Sequence, residues 1–372
     1  MDKSDLDKVL KLLGEIDGSD LHMKVGAPPR VRVNGDLSSL NGMPPLTADD
    51  TSLLAQSMMP PNIQNIFQDQ HEADFAYSVP GLGRFRVNAY YQRSSVALAI
   101  RRVRPSVTME ELGLPDVIRR LAEEQRGMVL VTGPTGSGKT TTLAAMIDHI
   151  NHTRACHIVG IEDPVEYLHK DDLAAIDQRE VGFDTTSFQA AMRVVLRQDP
   201  DVILVGEMRD PETVYAALTA AETGHLLLST VHTTNVPETI NRIVDFFPPH
   251  QHQQVRVSLS SSLKGIIAER LLPRADGTGR VPAFEICVST GRIQQAILDP
   301  EQTADITQII ADGEYYGMQT FDQTLAKMLR DNIITLDEAM RSADNPHDLK
   351  VILETMGLIQ TGSNRMVRQV VA

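Results

Sequence analysis

Several residue types are scarce in this chain. It has no tryptophan, and aromatic residues make up only 4% of it. Recognition by base stacking or an aromatic cage therefore has little to build on. Its two cysteines, Cys156 and Cys287, are too few for a disulfide framework or a four-cysteine zinc site, so no zinc is expected. They read as small buried apolar side chains in a reducing compartment. Basic residues number 35 against 49 acidic ones, a net charge of −14. Phosphate neutralisation needs a dense basic surface, so the chain as a whole does not suit nucleic acid. No apolar run approaches the ~20 residues that span a bilayer. The start, Met1-Asp2-Lys3-Ser4-Asp5, lacks the pattern of a secretion signal. These absences point to a soluble, acidic, cytoplasmic protein. Its 372 residues suggest two or three domains.

With 42% apolar residues there is enough for a core. Leu6, Val9, Leu10 and Leu13 recur at helical spacing and predict an opening amphipathic helix over 4–16. Val31, Val33 and the pair Asn34-Gly35 read as a hairpin. The stretches 83–90 and 95–103 alternate as paired strands do, and Pro44-Pro45 and Pro60-Pro61 bracket a helix near 47–59. Residues 1–104 are thus expected to form a small α+β domain. Arg104-Pro105-Ser106 reads as a linker, because proline continues neither helix nor strand well. Beyond it, short apolar strands at 128–131, 157–161, 202–205 and 226–231 alternate with helices near 139–151, 186–198, 211–222 and 236–246. That alternation predicts an α/β domain over 105–299, a parallel sheet with helices on both faces. Residues 300–372 read as a helical region ending in a loose tail around Thr361-Gly362-Ser363-Asn364.

The sharpest motif is Gly133-Pro134-Thr135-Gly136-Ser137-Gly138-Lys139-Thr140, followed by Thr141. Glycines let several backbone N–H groups converge on phosphate oxygens, and the following helix aims its positive end at the same point. Lys139 would meet the β- and γ-phosphates of ATP, and the Thr140 hydroxyl would ligate Mg²⁺. The preceding apolar strand and the following helix are the context this motif requires. Hydrolysis also needs carboxylates. Ile161-Glu162-Asp163-Pro164-Val165-Glu166 places three of them at a strand's carboxyl end, where ligands bind in such folds. Glu207 ends the apolar strand Val202–Val205 and is expected to hold Mg²⁺, directly or through water. His232, at the end of another strand, either senses the γ-phosphate or plays a structural part. His225, at the start of that strand, reads as structural.

Taken together and in this order, these motifs resemble the secretion ATPases of type II secretion and type IV pili. The phosphate loop, an acidic box at Glu162–Glu166, a modified strand-end motif at Gly206-Glu207-Met208-Arg209-Asp210 and a histidine box at Gly224–His232 carry the resemblance. It runs from about Ser19 to Leu329, and the N-terminal stretch from Ser19 to Gly35 looks like the pilus-retraction type. The resemblance implies a RecA-like ATPase domain with a smaller PAS-like N-terminal domain, assembled as a homohexamer. It implies Glu166 as the residue that polarises water, supported by Glu162 and Asp163. Asp163 also joins Thr140 and Glu207 around the metal. N-terminal arginines would reach the phosphates, with Arg86 and Arg101 as candidates. The implied partners are an inner-membrane platform protein of the pilus and a paralogous pilus ATPase, with the ring peripheral at the inner face of the cytoplasmic membrane. An assembly or secretion motor is the alternative, and a nucleic-acid translocase a more distant one. In one place the chain departs from the retraction type. Gly291-Arg292-Ile293-Gln294-Gln295-Ala296-Ile297-Leu298 stands where that type carries Ala-Ile-Arg-Asn-Leu-Ile-Arg, so the direction of pilus movement is not fixed by the motifs.

Overall fold

The computed structural model describes residues 3–33, 35–40 and 42–359. The tail around Thr361 and the first hairpin residue, Asn34, lie outside these. The chain divides into two compact units. One comprises 1–106 and 165–169, the other 107–164 and 170–372.

In the first unit, α1 (Lys3–Glu15) precedes β1 (Asp20–Lys24), β2 (Arg30–Val33) and β3 (Asp36–Ser39). Next come α2 (Ala48–Met58), α3 (Pro61–Gln70), β4 (Glu72–Val79), β5 (Gly83–Gln92), β6 (Ser95–Arg102) and the two-residue β7 (Arg104–Pro105). Among the described residues β1 to β6 form an antiparallel sheet in the order β3-β2-β1-β6-β5-β4. Alternation dictates its faces. Phe85, Val87 and Ala89 turn inward to a core shared with Leu6, Leu10 and Leu13 of α1 and Leu54 and Met58 of α2. On the other face the register sets Arg86 opposite Arg101 and Arg101 opposite Asp20. Helix α2 begins with a capping box, the Thr47 hydroxyl accepting from the Asp50 N–H while the Asp50 side chain accepts from the Thr47 N–H.

The second unit starts with α4 (Met109–Leu112) and α5 (Asp116–Ala122), followed by β8 (Gly127–Thr132), α6 (Lys139–Thr153) and β9 (His157–Glu162). After β10 (Tyr167–Leu168), which belongs to the first unit, come β11 (Ala175–Glu180), α7 (Phe188–Val195), β12 (Val202–Val205), α8 (Pro211–Glu222), β13 (Leu226–Val231) and α9 (Val236–Asp245). Then follow α10 (His252–Ser262), the hairpin β14 (Leu263–Pro273) and β15 (Arg280–Val288), and α11 (Gly291–Leu298). The chain continues through α12 (Ile306–Ala311), α13 (Phe321–Arg330), α14 (Leu336–Ser342) and α15 (Pro346–Thr355). The sheet order is β11-β9-β12-β13-β8-β14-β15, parallel throughout except for the last strand. Every residue of β8, β12 and β13 is buried because both faces are covered. Met128 and Leu130 pack with α7 to α11 on one side, while Val129 and Val131 pack with α5 and α6 on the other. Each such aliphatic side chain contributes about 2 kcal/mol. The α/β architecture expected from the sequence is present, with the four anticipated strands at its centre. The C-terminal helices α13 and α15 pack against β14 and β15 within this second unit.

The residues read as a bare linker form structure instead. Arg104-Pro105 is a short parallel ladder with Tyr167-Leu168, and the Arg104 N–H donates to the Glu166 carbonyl at 3.2 Å. Proline still offers a carbonyl, so it is tolerated in so short a strand. Among the described residues no helix is long and apolar enough to cross a membrane.

Candidate nucleotide site

The loop between β8 and α6 has the geometry its glycines require. Gly133 and Gly138 sit at φ of 150° and 113°, backbone regions that side-chain-bearing residues rarely adopt. A β-carbon would have no room at either. At Gly133 it would strike the Ser137 hydroxyl and the Glu269 carbonyl, and at Gly138 the Glu269 carboxylate. Helix α6 starts at Lys139, with the Thr142 N–H donating to the Gly138 carbonyl at 2.9 Å. Lys139 is only 7% exposed. Its ammonium donates to the loop's own Gly133 and Pro134 carbonyls at 2.9 and 3.0 Å. The buried Ser137 hydroxyl has no hydrogen-bond partner among the described residues. A curled loop, a lysine folded onto it and an orphaned buried hydroxyl fit a bound polyphosphate, which supplies the acceptors these donors need.

The sheet order brings the strand-end groups together. The Gly206 N–H donates to the Ile161 carbonyl (2.8 Å) and the Met208 N–H to the Thr230 carbonyl (3.1 Å), which ties the ends of β9, β12 and β13 side by side. Glu207 is buried, and its Oε2 lies 2.5 Å from Arg209 Nε and 3.2 Å from His232 Nε2. Glu207 and His232, 25 residues apart in sequence, thus meet as one cluster. Glu162 is buried at the end of β9 and accepts from the Gln178 side-chain amide at 3.0 Å. Asp163 is exposed and joined to Pro164 by a cis peptide. Thr140 is half-buried. Its hydroxyl, like the Glu207 carboxylate, is a hard oxygen donor of the kind Mg²⁺ prefers.

The other candidates fall differently. Glu166 is exposed and belongs to the first unit, so the acidic box is divided between Pro164 and Val165. Arg86 and Arg101 also lie on the first unit's sheet, and Arg101 Nε pairs with Asp20 Oδ1 at 2.8 Å. Asp210, next to the Glu207 cluster, caps α8 by accepting from the Thr213 N–H at 2.8 Å. Burial would raise its carboxyl, but the Thr213 N–H and hydroxyl outweigh that and hold it below the usual range. His225 is structural, with Nδ1 3.0 Å from the Ala220 carbonyl.

Two further residues stand at the site, Arg209 from the strand-end motif and Glu269, which no motif marked. Arg209 is the ion-pair partner of Glu207. Glu269 of β14 is 3% exposed and lies behind the loop, where its Oε2 accepts from the Thr142 hydroxyl at 2.9 Å. Burial pushes its carboxyl up to about 7, against the pull of Thr142 and Lys139. In the sequence it follows Ile266-Ile267-Ala268 and precedes Arg270, a placement that does not mark it.

Fold and loop define a P-loop nucleotide-binding protein on a RecA-like sheet. Residues 84–314 match the family model described as "Type II/IV secretion system protein". The chain is 43% identical over 345 residues to the "Type IV pilus retractation ATPase PilT" of Pseudomonas aeruginosa, covering 92% of this chain and 99% of that one. To the "Type IV pilus ATPase PilU" of the same organism it is 40% identical over 351 residues, covering 94% and 91%. A crystal structure of the pilus retraction motor PilT with bound ADP superposes with a TM-score of 0.85 at 45% identity, covering 92% of this chain and 98% of that one. The chain belongs to the type II/IV secretion system protein family, and it is an ATPase of that family.

Proposed function

We propose that this ATPase is the motor subunit that powers retraction of a type IV pilus, working as a homohexamer on the cytoplasmic stub of an inner-membrane platform protein. The observation that carries this reading is the phosphate loop, together with the Glu207–His232 cluster, in a chain similar to PilT over nearly its whole length. In this reading Gly133–Thr141 hold the phosphates of ATP, and Lys139 leaves its loop carbonyls for the β- and γ-oxygens. Thr140, Glu207 and Asp163 would hold Mg²⁺, which would supply charge neutralisation on the phosphates. Glu166 orients the attacking water and accepts its proton, supported by Glu162. His232, sharing Glu207 with Arg209, reports whether the γ-phosphate is present. Arg86 and Arg101 supply further positive charge. Glu166 and Asp163 stand on opposite sides of the boundary between the units, which falls at Pro164-Val165. The ring would be peripheral at the inner face of the cytoplasmic membrane, without zinc and without nucleic acid.

A second reading, an accessory or extension motor acting with a paralogous pilus ATPase, is favoured by one feature. Helix α11 presents Arg292, paired with Asp312 at 3.8 Å, where the retraction type carries its own arginine pattern. Fluorescently labelled pili in cells with and without the gene separate the two. The retraction reading expects shortening events to vanish while extension continues, and loss of extension instead would overturn it.

A further inference from the structure

Glu269 is a buried acid that the proposed chemistry does not use. It stands on β14, beside β8 and directly behind the phosphate loop. Its carboxylate occupies the space that a Gly138 β-carbon would need, accepts from Thr142 in the first turn of α6, and acts electrostatically on Lys139. Its cross-strand neighbour on β15 is Phe284, and on β8 the nearest register position is Thr132, beside Ala268. Neither carries charge, and among the described residues Lys139 is the charged group that acts on it.

An acid there braces the loop through Thr142, but its charge is of the wrong sign for a site that receives phosphates. In a low-dielectric interior that repulsion is poorly screened. We propose that Glu269 is a positioning residue that sets how tightly the loop takes a nucleoside di- or triphosphate, its negative charge holding Lys139 back and opposing the incoming phosphates. The proposal rests on the nucleotide reading of the loop. It has a consequence in pH. Protonating Glu269 removes the opposing charge, so nucleotide should bind more tightly on the acid side of about 7 and should bring a proton with it. Such linkage gives the protein a release step: the nucleotide leaves more readily when Glu269 regains its charge.

The test is calorimetric binding of ADP, with Mg²⁺ in excess, to the full-length protein at pH 6 and pH 8. The Glu269→Gln variant keeps the size of the side chain and an oxygen for the Thr142 hydroxyl, and removes only the charge. At pH 8 it should bind ADP about tenfold more tightly than wild type, and at pH 6 the two should converge. A variant that tracks wild type at both pH values overturns the proposal while leaving the loop's nucleotide role intact. Failure of the wild type to bind ADP at all would sink both. If the variant does not fold, the wild type alone decides. Binding heats in two buffers of different ionisation enthalpy should reveal net proton uptake near pH 7, and no uptake contradicts the proposal.

Discussion

The two units use charge in opposite ways. On the first unit's sheet, charged side chains lie on the outer face. Arg101 pairs with Asp20, yet its side chain is 72% exposed, and water and salt screen such a pair to a small net value. In the second unit the charges that matter are interior. Lys139, Glu162, Glu207, Glu269 and Glu285 are all buried. A buried charge must be partnered, and its removal or neutralisation is felt strongly. The first unit therefore holds its fold by apolar packing, with its arginines at the surface of the sheet. The second invests internal charge in a site.

Substitutions in each unit test this contrast. The larger stability effect belongs to Glu285, 1% exposed on β15, whose Oε1 accepts from the Val236 N–H that starts α9. Burial pushes its carboxyl from 4.5 up to about 7. A group raised in the folded state favours folding below its unfolded value, and that contribution is lost as pH climbs through the folded one. Glu285→Gln keeps an acceptor for Val236 and escapes this loss. It should be about 2 kcal/mol more stable than wild type at pH 8 and nearly equal to it at pH 4.5, as read by chemical denaturation. A variant that gains nothing at pH 8 would mean that this interior charge is better solvated than its burial implies. At the small end, Arg101→Ala should change stability by less than about 0.5 kcal/mol at any pH between 6 and 8. A larger loss would erase the distinction between the two units.

Much of the second unit was legible in the sequence because its signals are local. The strands at 202–205 and 226–231 are unbroken apolar runs between helices of the right length, and β12 and β13 occupy those residues. The phosphate loop is a contiguous motif flanked by the strand and helix that its chemistry demands. What escaped notice is non-local. Strand β14 mixes Lys264, Gly265, Glu269 and Arg270 with apolar residues, and Gly265 to Ala268 are all buried, so neither alternation nor a clean apolar run marks it. Its acid becomes part of the site only because β14 pairs with β8. The pairing of Arg104-Pro105 with Tyr167-Leu168 joins residues some sixty positions apart, and it places Glu166 in a different unit from Asp163. The contiguous carboxylates are thus shared between the two units. Glu207 and His232 show the converse, since strand order makes neighbours of distant residues.

The central claim is that nucleotide chemistry is done at the loop of the second unit. The most direct measurement is steady-state ATP hydrolysis by the full-length protein and its Lys139→Ala variant, purified alike and matched for folding by thermal melt. On this account, removing the Lys139 ammonium should lower turnover at least a hundredfold while the melt stays cooperative. A folded Lys139→Ala protein that hydrolyses ATP at the wild-type rate would contradict the assignment of this loop as the catalytic phosphate site.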